Sequence, residues 1–217
     1  MNVATEGRTI GLVLRTRPLT ESSLIVSWLT EHFGRLSTLA KGARRAKSPF
    51  SGKLDLLYLA EFTFQRSRRT ELHLLREVVV QDFHPALRRN LCSFQQAAYF
   101  VQLIEQTTET ETPIPGVFNL LNSALDALSR QTPHPLLVFA FEMKLLHELG
   151  LHPDLHSRVL SDGATQILSS AASSDWASLG RLQVNRAPVH EVRQFLHDFL
   201  LYHLGRIPVA RTVALAC

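Results

Sequence analysis

The stretch from Ala40 to Leu54, AKGARRAKSPFSGKL, gathers Lys41, Arg44, Arg45, Lys47 and Lys53 around Gly42, Gly52, Pro49, Ser48 and Ser51. Residues of these types, so spaced, can hold anions. Ammonium and guanidinium groups neutralise phosphate charge, and each neutralised phosphate releases condensed counterions. Glycines let the backbone approach an anion, and serine hydroxyls donate to its oxygens. A basic loop can equally be a solvated surface, so charge alone leaves both readings standing. A second cluster, Arg66, Arg68 and Arg69, adds weight to the anion reading, as do Arg15, Arg17 and Arg35. Phe50, inside the first loop, is the best candidate to stack on a nucleobase. Nothing in the pattern implies base-specific readout.

Other chemistry finds little support. The chain carries no GxSxG, no phosphate-binding P-loop and no dinucleotide glycine fingerprint. His147-Glu148 followed by His152 approaches a zinc-protease helix motif, but the histidines are five apart with Gly150 between them. That motif needs imidazoles at i and i+4 on one helix face. His147, His152 and His156 are better read as a helix end and its loop. No metal ligand set, catalytic residue or cofactor is expected.

The elements that would carry the basic residues follow from the periodicity. Short β-rich runs at 8–14, 24–29, 34–40, 54–64 and 72–80 keep a two-residue beat. Arg66 to Thr70 reads as a hairpin tip. Five strands joined by short turns and one longer basic loop fit a small closed barrel, because closure removes sticky edges. Beyond Val80 the beat becomes helical. Helices are expected at 94–105, capped by Ser93, at 117–128, and at 136–149, closed by Gly150. The third is apolar around most of its circumference and should be buried. The stretch 152–180 is polar, small and Ser/Ala-rich, with a turn signal at Asp162-Gly163. A dense amphipathic helix over 189–204 follows.

Composition agrees with this division. The 217 residues are 45% hydrophobic, enough for a core. Residues 1–90 hold 15 of the 23 Lys and Arg against 8 of the 19 Asp and Glu, a net +7, while residues 91–217 carry −3. A basic front half on a mildly acidic back half implies two modules with different partners, the first a polyanion. The start of the chain lacks the order of a signal peptide, and no apolar run nears the ~20 residues of a membrane-spanning helix. Cys92 and Cys217 are too few for a disulfide framework and are expected to stay reduced.

The residues also resemble a family. RPLTESSLIVSWLTEHFGRLSTLAKGARRAKSPFSGKLDLL is similar to the opening of RecO, the bacterial recombination mediator. The shared elements are Glu21-Ser22, Leu29-Thr30, Gly34, the block Ala40-Lys41-Gly42-Ala43-Arg44, Ser48, and Gly52 to Leu54. Tyr99, the run Phe141 to Leu155 and the ending FLLYHLGRIPVARTV resemble later family features, so the likeness covers nearly the whole chain.

This resemblance implies an α+β protein: a five-stranded OB-fold β-barrel at 1–81 for nucleic acid, then an α-helical domain at 82–217. It implies binding of single- and double-stranded DNA and annealing of complementary strands. It also implies work with RecR to help load RecA onto DNA coated by single-strand-binding protein, in repair and RecF-pathway recombination. The acidic, apolar C-terminal tail of that coating protein would dock on the helical domain, at a guess around Phe141 to Leu149. The chain would act in the cytoplasm, at the nucleoid, with no catalysis and no membrane. Carried residue by residue, Lys41, Gly42 and Arg44 fall in the shared block. Arg15, Arg35, Arg45, Lys47, Lys53, Arg66, Arg68 and Arg69 enter the expected DNA surface on local charge. Many family members carry a four-cysteine zinc module that begins where His156 stands. No cysteine lies between Cys92 and Cys217, so 152–182 reads as a degenerate module without metal. Two other readings stay open: an RNA- or ribosome-associated OB protein, and a hydrolase built on the histidines.

Overall fold

The computed structural model describes residues 6–155, 160–182 and 184–217. Five strands close on themselves: β1 (Glu6–Pro18), β2 (Leu24–Thr30), β3 (Gly34–Ala40), β4 (Leu59–Gln65) and β5 (Leu72–Asp82). The order around the barrel is β1-β2-β3-β5-β4. All neighbours are antiparallel except β3 and β5, which run parallel from Ser37↔Leu72 to Leu39↔Leu74. A five-stranded OB-like barrel ahead of helices is what the periodicity and the resemblance together lead one to expect.

The alternation that makes these strands is visible in burial. Along β3 and β4 every second side chain points inward. The inward set includes Val26, Trp28, Leu36, Phe62, Phe64 and Leu75. Trp28 stacks on Phe62 at 4.1 Å between centroids, and its indole N–H donates to Thr38 Oγ1 at 2.8 Å. That bond removes the cost of burying the donor. The register of β1 on β2 slips between Val13 and Arg15, a bulge that re-aims the end of β1.

The expected long strand at 54–64 is shorter. Residues 54–58 form a turn, with Tyr58 N–H on Asp55 O, and Leu57 takes a left-handed φ of 69°. Leu57 N–H then donates to Val13 O, which ends the basic loop against β1.

After a short 3-10 turn at Leu87–Arg89, the described residues form seven α-helices: α1 (Leu91–Thr107), α2 (Pro115–Arg130), α3 (Pro135–Glu148), α4 (Asp162–Ser173), α5 (Trp176–Leu179), α6 (Arg186–Leu204) and α7 (Ala210–Ala214). Among the described residues, 6–84 with 108–119 form one compact unit, and those from 85–107 and 120–217 form another. In the second unit α3 is buried almost all round, from Leu136 to Leu146. Gly150, at φ +73°, turns the chain after α3 in a conformation that favours glycine.

Three expectations change here. Asn90, and not Ser93, caps α1: its side chain accepts from Ser93 N–H at 3.1 Å. The Ser/Ala-rich stretch holds two helices. Ser161 caps α4 by accepting from Ala164 N–H, and Ala164, Ile167, Leu168 and Ala171 form its buried stripe. The turn signal at Asp162-Gly163 marked a helix start. Cys92 and Cys217, expected reduced, form a disulfide with 5.5 Å between Cα atoms. The packing of α1 on α7 brings them together across 125 residues, a proximity that no local pattern carries.

Candidate nucleic-acid interface and a groove on the helical unit

The basic loop between β3 and β4 is a chain of tight turns. Backbone bonds run from Ala43 to Ala40 O, Arg45 to Gly42 O, Ser48 to Arg45 O, Ser51 to Ser48 O and Lys53 to Phe50 O. Gly42 and Gly52 have φ of 70° and 71°, so two of these turns require glycine. The loop is fastened to the turn between β1 and β2. Arg44 N–H donates to Ser22 O, its guanidinium donates to Thr20 O at 3.2 Å, and Gly42 N–H reaches Ser23 Oγ. The backbone is therefore held while the cations face outward.

Phe50 is 7% exposed and belongs to the barrel core. The ring expected to stack on a base instead anchors the loop. An apolar ring on a loop over an open barrel end gains more by filling that end than by facing water. Ser48 Oγ accepts from Phe50 N–H, so this hydroxyl also serves the loop's own shape.

Lys41, Arg44, Arg45 and Lys47 are exposed on this loop, and Lys53 is half-buried. Arg15 is exposed on β1. Arg66, Arg68 and Arg69 are exposed on the hairpin joining β4 to β5. Among the described residues, the side chains of Arg15, Lys41, Arg45, Lys47, Lys53, Arg68 and Arg69 have no hydrogen-bond or ion-pair partner. The structure brings Lys41 and Arg66 to one shallow cavity of about 260 Å³, with Gln65, Ser67 and His73 in its walls.

Arg35 is placed differently. Its Nε donates to Thr108 Oγ1 at 2.8 Å and a terminal nitrogen to Thr108 O at 2.5 Å. Its guanidinium holds the segment after α1 and is spent on structure.

That segment, residues 108–112, straps the barrel unit. Thr110 makes a parallel bridge to Arg35, and Glu111 N–H donates to Arg35 O at 2.7 Å. A Cβ added to Gly34 would lie 2.5 Å from Thr112 O, so only glycine lets the strap approach. The Glu111 carboxylate lies 2.6 Å from Nε2 of buried His73 and 3.4 Å from Arg66. His73 Nδ1 accepts from Ser67 N–H at 3.3 Å, and Nε2 faces Glu111 in close contact without a well-aligned hydrogen bond. Arg66 also lies over the Phe33 ring, 5.4 Å from its centroid. Sequence reasoning missed His73, Thr108 and Glu111. Their partners are dozens of positions away, and only a buried histidine in a strand hinted at them.

The helical unit has a groove of about 490 Å³ between α2 and α5. Ala127, Trp176 and Ala177 give it apolar walls, and Arg130 and Arg181 give it charge. Trp176 Nε1–H donates to Ser123 Oγ at 3.0 Å, which fixes the indole plane. The guessed location around Phe141 to Leu149 does not hold, because Phe141, Met143, Leu145 and Leu146 are buried in the core. His147 and His152 meet in a T-shaped contact, 5.0 Å between ring centroids, but α3 ends at Glu148, so they do not share a helix face. His156, like residues 157–159 of the supposed module, lies outside the described residues.

Two family profiles match this chain: Recombination protein O N terminal over residues 1–83 and Recombination protein O C terminal over residues 93–165. The chain is similar to the DNA repair protein RecO of Bacillus pumilus, 31% identical and covering 87% of this chain and 86% of that protein. It is 33% identical to the DNA repair protein RecO of Rhodopirellula baltica over 66% of this chain and 53% of that protein. It is 30% identical to that of Syntrophus aciditrophicus over 71% of this chain and 60% of the relative. The matched stretch thus spans little more than half the length of these last two relatives.

Proposed function

The chain belongs to the recombination protein O family, and on that premise we propose that it is a non-catalytic DNA-binding mediator of repair and recombination. Its work is to neutralise phosphates on two strands so that complementary strands can approach and pair. It would then help load RecA onto DNA coated by single-strand-binding protein, together with RecR. The observation that carries this reading is the set of cations on one closed barrel whose side chains have no partner among the described residues: Arg15 on β1, Lys41, Arg45, Lys47 and Lys53 on the loop, and Arg68 and Arg69 on the hairpin. Phosphate tracks want many point charges on a held backbone, and affinity built this way falls steeply with salt. The barrel at 1–81 is the DNA module in this reading, and 82–217 the partner module. Among the described residues no helix is long and apolar enough to cross a membrane.

The test is charge reversal at Lys41→Glu with Arg44→Glu, read as binding of single-stranded DNA across a salt series. Weaker binding with a flatter salt dependence is expected. An unchanged affinity and slope would remove the loop from the interface. Matched RNA in the same assay separates the DNA reading from an RNA-binding one.

The groove between α2 and α5 fits the acidic, apolar tail of single-strand-binding protein. Its apolar walls suit an aromatic or aliphatic anchor, and Arg130 and Arg181 suit carboxylates. Arg130 already leans on Asp126 at 3.6 Å, but it is highly exposed and that pair is weak. Arg130→Glu with Arg181→Glu is expected to weaken binding of a labelled tail peptide at least tenfold while leaving DNA binding close to wild type. Unchanged peptide affinity would place the tail elsewhere.

A further inference from the structure

The Glu111 carboxylate is the feature of the barrel unit that DNA binding by itself does not explain. A chain that binds phosphate gains nothing from placing an acid in its own basic hairpin. Yet the strap delivers this acid with care. Thr108 is tied to Arg35, Thr110 bridges Arg35, and Glu111 N–H bonds Arg35 O. Glu111 itself has φ of 55°, a left-handed conformation uncommon for a residue with a side chain.

Its two contacts differ in kind. The contact to His73 is short, 2.6 Å, and the ring is 2% exposed. The contact to Arg66 is long, 3.4 Å, with the two side chains 42% and 32% exposed. Ion pairs this exposed are weak. His73 therefore holds the carboxylate in place, and its hold on Arg66 is the loose one. Arg66 stands at the rim of the cavity that also receives Lys41, Gln65 and Ser67, a space sufficient for one phosphodiester.

We propose that Glu111 is an internal competitor for the nucleic-acid phosphate: its carboxylate occupies Arg66 in the free protein, and a strand phosphate seated between Lys41 and Arg66 displaces it. This rests on the DNA-binding reading above and adds a residue that limits affinity there. The effect is to cap the grip on a single strand, which suits a protein that must let strands exchange. Displacement from Arg66 leaves the contact of the other carboxylate oxygen with His73 Nε2, at 2.6 Å, untouched.

The test uses the full chain and a labelled oligothymidylate, with affinity measured by fluorescence anisotropy across a salt series. Glu111→Gln keeps the side chain's shape and an oxygen that can face His73, and a thermal melt by circular dichroism checks the fold. It is expected to bind about threefold tighter at low salt, the size of a released surface pair. Its salt slope should steepen by about 0.7, one added contact to a single strand. Glu109→Gln is the control. Glu109 is exposed on the same strap and has no side-chain partner among the described residues, so this change removes the same charge without touching Arg66. Its slope should stay at the wild-type value. In an Arg66→Gln background, Glu111→Gln should give no gain. The proposal is overturned if Glu111→Gln behaves like Glu109→Gln, if it binds more weakly than wild type, or if its gain survives the loss of Arg66. Should Lys41→Glu with Arg44→Glu leave binding intact, the parent reading fails as well. Should that pair weaken binding while the two Glu variants match, only the competitor fails.

Discussion

Arg211 and Arg45 show two uses of one residue type. Arg211, on α7, is 5% exposed and lies against Glu142, which is fully buried. Its Nε donates to Oε1 at 2.7 Å and a terminal nitrogen to Oε2 at 3.0 Å, and Tyr99 donates to the same Oε1 at 2.6 Å. Burial, with the neighbouring carboxylate, holds the Tyr99 phenol well above its ordinary range. The carboxylate overcomes burial and raises Arg211 as well. Arg45, on the barrel loop, faces water with no side-chain partner among the described residues. A charge that leaves water needs a partner of opposite sign, and one that stays in water remains available to a ligand. The helical unit uses Arg211 to hold helices, and the barrel loop leaves Arg45 in water, where the proposed DNA binding would use it.

The largest expected break in this contrast is Arg211→Ala. It strands the Glu142 carboxylate in the core and should cost about 3–5 kcal/mol of stability, measured by urea unfolding. Arg45→Ala in the same assay should shift stability by less than about 0.5 kcal/mol. Equal losses would erase the distinction between the two regions. Smaller, and on the loop itself, is Phe50→Ala. Phe50 fills the barrel end, so removal should cost about 3 kcal/mol. If Phe50→Ala instead left stability intact and abolished DNA binding, the ring would be a stacking platform after all.

The two regions were also unequally legible in the sequence. The barrel was readable because alternation in β3 and β4 is strict and because turn residues separate the strands. The placement of Lys41 and Arg44 followed from the same pattern. Phe50 was misread because a ring within a basic loop carries no local sign of which way it turns. Position 161 was legible in hindsight: a serine ahead of Asp162 and an Ala164, Ile167, Leu168 and Ala171 stripe are helix signals, masked by the surrounding Ser/Ala content. The Cys92–Cys217 pair, the Glu142–Arg211 pair and the Glu111–His73 contact join residues 125, 69 and 38 positions apart. Such partners are set by how helices and the strap dock, and periodicity says nothing of docking.

The central claim is that the loop from Lys41 to Lys53 contacts phosphate. The most direct measurement is the slope of log affinity against log salt for single-stranded DNA, wild type beside Lys41→Glu with Arg44→Glu. Losing two phosphate contacts should make the slope shallower by about 1.4 and weaken binding at every salt. Coincident lines for the two proteins would contradict the account.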